Sequence, residues 1–284
     1  MLKFYVLENE AIEAISIKDV KDRLAHIIWI DLFCPTDEEE EFVEDLLNTN
    51  IPTHAEMREI ELSNRLYQNN GIVYATATMV IKSNTPEPET HAITFVLSGT
   101  RLITVRYADP SPFEIFLSRS TAISADIYCG NAVLMGLMDA IVDRMADILE
   151  NIGHSIDKMT KNIFRPHIQD AAARAKAKPD LEEMLRQVGV MGDLVSKTSE
   201  SLLSINRLLA FVGQTSYFKP ACDEHDKAVT LLSDVHALSE HGSFLSNKVT
   251  FILDAILGMI SIEQNSIIKI VSLAAVVFLP PTLV

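Results

Sequence analysis

Residues 258–284 read GMISIEQNSIIKIVSLAAVVFLPPTLV, and this stretch decides how the rest of the chain is interpreted. From residue 267 onward the only charge is Lys269, and the apolar run from residue 270 to the last residue is 15 residues long. A helix needs about 20 apolar residues to cross a bilayer, so residues 266–284 are predicted to be a truncated membrane-spanning helix. Hydropathy alone leaves open a buried core helix at the same place.

Three long helical segments precede this stretch, within residues 126–265. Their apolar residues recur at steps of three and four in a narrow stripe, which is typical of long helices packed side by side. Pro166 and the Pro179-Asp180 pair separate the first two segments, which predicts two antiparallel arms and then a very long stalk helix that runs into the span. The stripe of the first segment comprises Leu134, Leu137, Ile141, Met145, Ile148, Ile152, Ile156, Met159 and Ile163.

Residues 1–125 have a different pattern, that of a mixed α/β domain. Short apolar or β-branched runs predict strands near residues 2–7, 27–31, 72–81, 91–97 and 101–106. Thr36 followed by five acids predicts a capped helix start, and a second helix is predicted around residues 56–65. The predicted fold is therefore α+β, with an N-terminal α/β/α sandwich domain followed by the long helices.

Composition excludes several classes of protein. The net charge of −15 disfavours nucleic acid as a partner, because binding phosphates requires an excess of Lys and Arg. Three separate cysteines, without a CxxC pair, predict neither a disulfide framework nor a zinc site. The N-terminal MLKFYVLENE lacks the apolar core of a signal peptide. The nucleophile-elbow, P-loop and dinucleotide-binding motifs do not occur, so the chain is not expected to be an enzyme.

The C-terminal stretch resembles the bacterial CorA magnesium transporters at the junction between their stalk helix and first transmembrane helix. The strings that carry the resemblance are the one from Ile262 to Asn265 and the one from Phe278 to Thr282. Weaker similarity lies in the string Trp29-Ile-Asp-Leu32 and in EMREIE at residues 56–61. The resemblance assigns residues 1–125 to an N-terminal cytoplasmic domain, 126–265 to a helical stalk or funnel, and 266–284 to the first transmembrane helix.

Several properties follow only from this resemblance. CorA proteins are homopentamers of the bacterial inner membrane that pass hydrated Mg²⁺, and also Co²⁺ and Ni²⁺, without ATP. The portion described by this chain would be cytoplasmic up to the span, Mg²⁺ would be both the transported and the regulatory ion, and no organic cofactor would be needed. The family signature Gly-Met-Asn and the second span would follow after Val284.

The resemblance also assigns pore-lining positions to the last helix. Asn265 matches an asparagine at the inner pore entrance, and Ile268 and Val271 match large apolar side chains of a hydrophobic gate. The six positions recur at steps of three and four, so they share one side of a helix whatever the family. The predicted pore-lining residues are Asn265, Ile268, Val271, Ala275, Leu279 and Thr282.

A regulatory metal site is expected between the cytoplasmic domains of neighbouring subunits, where a divalent ion would bridge carboxylates from two chains. Asp226 and Asp234 flank the height at which the family places this site. A solvated helix face is the ordinary explanation of such acids.

Three other interpretations stay open at this point. A Zn²⁺ transporter of the same architecture would share the helices and the span. A membrane-anchored protein whose helical arms bind partners would have the span but no pore. A soluble coiled-coil scaffold with a hydrophobic tail would stay soluble without detergent.

Overall fold

The computed structural model describes residues 1–8, 11–120, 129–164, 180–218 and 223–278. Over these residues the chain forms one seven-stranded sheet, a short 3-10 helix at Leu24–His26 and a series of α-helices. The strands are β1 (Leu2–Glu8), β2 (Ala11–Ile15), β3 (Ile27–Phe33), β4 (Leu66–Asn69), β5 (Ile72–Ile81), β6 (Glu89–Ser98) and β7 (Arg101–Arg106). The helices are α1 (Val20–Arg23), α2 (Asp37–Leu47), α3 (His54–Met57), α4 (Leu62–Arg65), α5 (Ser111–Ser120), α6 (Gly130–Ile163), α7 (Leu181–Gly213) and α8 (Asp223–Phe278).

The strand order is β2-β1-β3-β7-β6-β5-β4. Neighbouring described strands pair in antiparallel fashion except β3 and β7, which are parallel, with Trp29 opposite Leu102. The hairpin of β6 and β7 closes at Gly99, whose φ of 61° lies in the left-handed region that glycine adopts without strain. The predicted α+β class is confirmed, because a mixed sheet precedes the long helices.

Helices cover both faces of this sheet. Alternate residues of a strand point to opposite faces, so Phe4 and Val6 lie on one side of β1 and Tyr5 on the other. The first side packs against Val43 of α2 and Met57 of α3 in one buried cluster. On the second side, Trp29 stacks on Tyr5 and meets the ring of Phe116 from α5 at 5.8 Å. The three layers are those of the predicted α/β/α sandwich.

The string Trp29-Ile-Asp-Leu32 forms the middle of β3 and holds a buried ion pair. Asp31 is 2% exposed, and its Oδ2 lies 2.9 Å from the guanidinium of Arg106. The Thr104 hydroxyl donates to Asp31 Oδ1 at 2.8 Å and accepts from the Trp29 indole at 3.0 Å. Burial alone would lower the pKa of Arg106, but its hydrogen bonds to Asp31 and the charge of Asp31 raise that pKa above its ordinary value. Both the carboxylate of Asp31 and the guanidinium of Arg106 therefore have hydrogen-bond partners, which two buried charges require.

Helix α2 begins where its sequence predicts. The Thr36 side chain accepts from the backbone of Glu39, and the Glu39 side chain accepts from the backbone of Thr36, which is a complete capping box. The helix predicted around residues 56–65 is wrong as a single element, since the structure forms α3 and α4 instead. The amides of Arg58 and Glu59 bond three residues back, to Ala55 and Glu56, the tighter turn with which helices end.

The chain divides into two compact units, residues 1–149 with 196–242, and residues 150–195 with 243–284. The predicted boundaries at residues 125 and 265 stay predictions. The first unit contains the sheet and buried apolar residues of the long helices, such as Leu134, Leu202 and Val235. The second unit has buried apolar residues of its own, such as Ile156, Val188 and Ile252.

The long helices follow the predicted periodicity. Every apolar stripe residue predicted for the first segment, from Leu134 to Ile163, is buried. Helix α7 starts after Asp180, whose carboxylate accepts from the amides of Glu182 and Glu183 at 3.1 Å each. Helix α8 is 56 residues long and is continuous from Asp223 to Phe278.

Candidate functional site

The last part of α8 changes from a buried stripe to a helix exposed on all sides. Its last fully buried apolar side chain is Ile256. Every side chain from residue 264 to residue 276 is exposed in the described part of the chain. Among the described helices, α8 is the one long and apolar enough to cross a membrane. An apolar helix needs either a protein core or lipid around it, so this exposure favours a membrane span over a buried core helix.

Four of the predicted pore positions lie together on one side of this exposed segment. Asn265, Ile268, Val271 and Ala275 are all helical and exposed. At 3.6 residues per turn they lie within an arc of about 120°. Leu279 and Thr282 lie outside the described residues. The first four positions therefore share one side of a helix, and the pore role of all six stays a prediction.

Ser272 belongs to the same side, although it was not among the predicted positions. It follows Asn265 by seven residues, which places it about 20° from Asn265 around the helix. Like its neighbours it is exposed. The signal that could have identified it is its spacing of four residues from Ile268 and seven from Asn265, both of which keep residues on one side of a helix.

The two predicted regulatory acids lie near the start of α8, and both are exposed. Asp226 and Asp234 are eight residues apart, so their Cα atoms are separated by about 12 Å along the helix. That distance is too long for both carboxylates to bind one ion. Within the described residues, no group of three or more His, Cys, Asp or Glu side chains could hold a metal ion.

A carboxylate that the sequence did not single out lies near Asp234. Loss of hydration raises the pKa of Asp139 on α6, and the charges of Asp143 and Asp234 raise it further. The positive charges of Arg119 and Lys227 lower this pKa, but they do not cancel the increase. Arg119 bonds Asp143 at 2.9 Å. Asp139 and Asp143 are four residues apart on one helix face, and that spacing was the available signal. Loss of hydration is the main cause of the raised pKa, and the smaller contribution of Asp234 shows that Asp139 and Asp234 lie within electrostatic range of each other.

Comparison with known proteins agrees with this arrangement. A family model for CorA-like Mg²⁺ transporter proteins matches residues 25–284. The magnesium transport protein CorA of Escherichia coli strain K12 is 28% identical over 286 aligned residues, which cover 100% of this chain and 86% of that protein.

Two solved structures share the fold. The CorA magnesium transporter from Methanocaldococcus jannaschii matches with a TM-score of 0.71 at 12% identity, over 98% of this chain and 83% of that one. The ZntB cytoplasmic domain from Vibrio parahaemolyticus matches with a TM-score of 0.62 at 7% identity, over 91% of this chain and 97% of that one. At these identities the two structures support the fold alone.

A mixed sheet followed by long helices, of which α8 is apolar enough to cross a membrane, fits the class of membrane proteins. The chain belongs to the family of CorA-like Mg²⁺ transporter proteins. Members of that family are ion transporters, so the prediction that the chain is not an enzyme is confirmed.

Proposed function

We propose that this chain forms the cytoplasmic domain and the inner pore segment of a passive Mg²⁺ channel in the bacterial inner membrane. The observation that carries the proposal is the continuity of α8, which bears both the proposed regulatory acids and the proposed pore residues. A change in position at Asp226 or Asp234 would be transmitted along one unbroken helix to Asn265 and Ile268. Family membership and the exposed apolar segment support the membrane location.

The pore chemistry follows from the hydration of the ion. Mg²⁺ gives up its water shell reluctantly, so a ring of Asn265 amides from five subunits would meet hydrated Mg²⁺ and not the bare ion. The next ring inward, Ile268, and then Val271 would form a constriction that closes by excluding water. Co²⁺ and Ni²⁺ would pass by the same route as hydrated divalent ions.

The proposed regulation needs a second chain, because Asp226 and Asp234 of one chain cannot share an ion. In a homopentamer, the exposed acids of one subunit would face carboxylates of the next. Their mutual repulsion is relieved when Mg²⁺ bridges them, so high internal Mg²⁺ stabilises the closed ring. Asp139 lies within electrostatic range of Asp234 and so adds a further carboxylate near the proposed site.

Substitution of Asn265 tests the pore assignment. In cells deprived of their own Mg²⁺ transporters, Asn265→Ala is expected to reduce Mg²⁺ uptake by about fivefold or more, since removing a hydrogen bond to a charged species costs about 1.5–3 kcal/mol. Ser266→Ala is the matched control, because Ser266 is an exposed polar residue next to Asn265 that faces about 160° away from the middle of the predicted pore side. Uptake is followed with isotopic or dye-reported Mg²⁺, and with Co²⁺, Ni²⁺ and Zn²⁺ in parallel.

Equal loss of uptake in both variants would contradict a pore position for Asn265. Zn²⁺ uptake in the absence of Mg²⁺ uptake would assign the protein to the Zn²⁺-transporting alternative. Failure to transport any of the four ions would favour a membrane-anchored interaction protein.

The regulatory assignment makes a separate prediction about assembly. The chain in detergent is expected to form a larger or more stable oligomer in millimolar Mg²⁺ than in chelator, and the double change Asp226→Asn and Asp234→Asn should remove the difference. Asp254→Asn, an exposed acid further along α8, should leave it intact. Light scattering that gives the same mass in both buffers for the unsubstituted chain would argue against Mg²⁺ control of assembly.

A further inference from the structure

A small pocket lies at the edge of the sheet, where β4 stops pairing with β5. The last pair in that direction is Leu66 opposite Ala75, so β5 has no β4 partner from Thr76 onward. Beyond that point the Thr78 amide donates instead to the Ser204 hydroxyl of α7 at 2.9 Å. The pocket between these elements has a volume of about 150 Å³. Its polar lining consists of Arg65, Thr76, Thr78, Glu200, Ser204 and Arg207.

Two arginines line this pocket, and each has hydrogen-bond donors without a partner in the described part of the chain. Arg65 donates from one terminal nitrogen to the Thr78 hydroxyl at 2.6 Å, but its Nε is buried and has no hydrogen-bond partner. Arg207 is exposed on α7, and in the described part of the chain its side chain has neither a hydrogen bond nor an ion pair. Buried donors in native proteins are nearly always paired, so the free Nε of Arg65 points to a missing acceptor.

The charge of the pocket is opposite to that of the whole chain. Burial lowers the pKa of Arg65, the charge of Glu200 raises it, and the charge of Arg207 lowers it again. The three groups therefore lie within electrostatic range of each other, and two guanidinium groups oppose one carboxylate. Glu200 forms no direct ion pair with Arg65. A local excess of one positive charge among the residues that line the pocket favours binding of an anion.

We propose that this pocket binds a small oxyanion, either phosphate or a carboxylate, with the guanidinium groups of Arg65 and Arg207 as its principal donors. Guanidinium groups pair with such anions through two parallel N–H···O bonds. The Ser204 hydroxyl, which accepts from the Thr78 amide, can add a neutral donor. On the rim, Ile60 is 91% exposed and Leu203 is 48% exposed. These apolar side chains provide a contact for the carbon part of an organic acid or organic phosphate. The site is independent of the proposed pore, because none of its residues lies near the membrane segment in sequence.

Calorimetric titration of the whole chain in detergent tests the proposal, with sodium phosphate and sodium acetate added separately at constant ionic strength in Mg²⁺-free buffer. Saturable binding is expected, and Arg207→Gln should weaken it by about tenfold or more, as expected for loss of a charge-assisted hydrogen bond. Glu200→Gln should strengthen it, because this change removes the opposing carboxylate. Tighter binding of phosphate or of acetate identifies which of the two chemistries the pocket prefers.

The matched control is Arg186→Gln, which removes an exposed arginine from the same helix at a position paired with Glu183. It should bind the anion as the unsubstituted chain does. Equal weakening by Arg186→Gln and Arg207→Gln would overturn the proposal, since it would reduce the effect to general surface charge. Absence of saturable binding by both anions at millimolar concentration would overturn it as well.

Discussion

Replacing Ile268 with asparagine is expected to open the proposed channel when Mg²⁺ holds it closed. A ring of polar side chains in place of isoleucine would keep water in the constriction, so the path would no longer close by dewetting. Conductance across a planar bilayer with millimolar Mg²⁺ on the cytoplasmic side should rise by about tenfold or more, which corresponds to a loss of about 1.4 kcal/mol from the closed-state barrier. The measurement uses the protein purified at the length at which cells produce it.

The neighbouring isoleucine provides a closely matched control. Ile267 is 56% exposed and Ile268 is 60% exposed, and both lie in the same turn of α8. They differ mainly in direction, by about 100° around the helix. Ile267→Asn should therefore leave the Mg²⁺-closed conductance within about twofold of the unsubstituted protein. If the two variants conduct alike, the predicted pore side of α8 is wrong.

Removing the buried carboxylate of Asp31 is expected to destabilise the fold more than removing any exposed carboxylate. The change Asp31→Ala leaves Arg106 buried, 6% exposed, without its main partner. Breaking a buried ion pair in this way costs about 3–5 kcal/mol of unfolding free energy. Urea unfolding of the chain can be followed by fluorescence, because Trp29 is the only tryptophan and its indole bonds the same Thr104 hydroxyl that contacts Asp31.

A second carboxylate on the same arginine allows a controlled comparison. Asp109 also pairs with Arg106, but its side chain is 70% exposed. Exposed ion pairs are worth about 0–1 kcal/mol, so Asp109→Ala should shift the unfolding free energy by no more than that. Similar losses in the two variants would mean that burial of Asp31 does not determine the effect.

The parts of the fold predicted from sequence are those set by local patterns. The run at residues 72–81 alternates small polar and apolar residues, and β5 has the same bounds. Thr36 and Glu39 predict the start of α2 because a capping box acts within four residues. By contrast β4 is a four-residue strand, Leu66–Asn69, that is half polar and was not predicted. It forms because β5 supplies a partner, which a local pattern does not reveal.

In the candidate site, too, some features follow from local sequence and others depend on contacts between distant elements. Continuation of α8 through Asn265 and Ala275 follows from its apolar composition and from the absence of proline between Pro220 and Pro280. The side of α8 that faces a pore does not follow from one chain, because all sides are exposed there. The electrostatic proximity of Asp139 and Asp234 depends on the packing of α6 and α8, elements that are far apart in sequence.

The parallel pairing of β3 with β7 determines the order in which this protein can fold during synthesis. Trp29 and Thr104, which bond across this pair, are 75 residues apart in the chain. Ribosomes add about 5–20 residues per second, so β1 to β3 wait for several seconds before their partner strand emerges. Closing so long a loop is slow, and until then the outer edge of β3 is open to other strands. We therefore expect nascent chains to need chaperone protection of the β3 edge until β7, which ends at Arg106, has emerged from the ribosome.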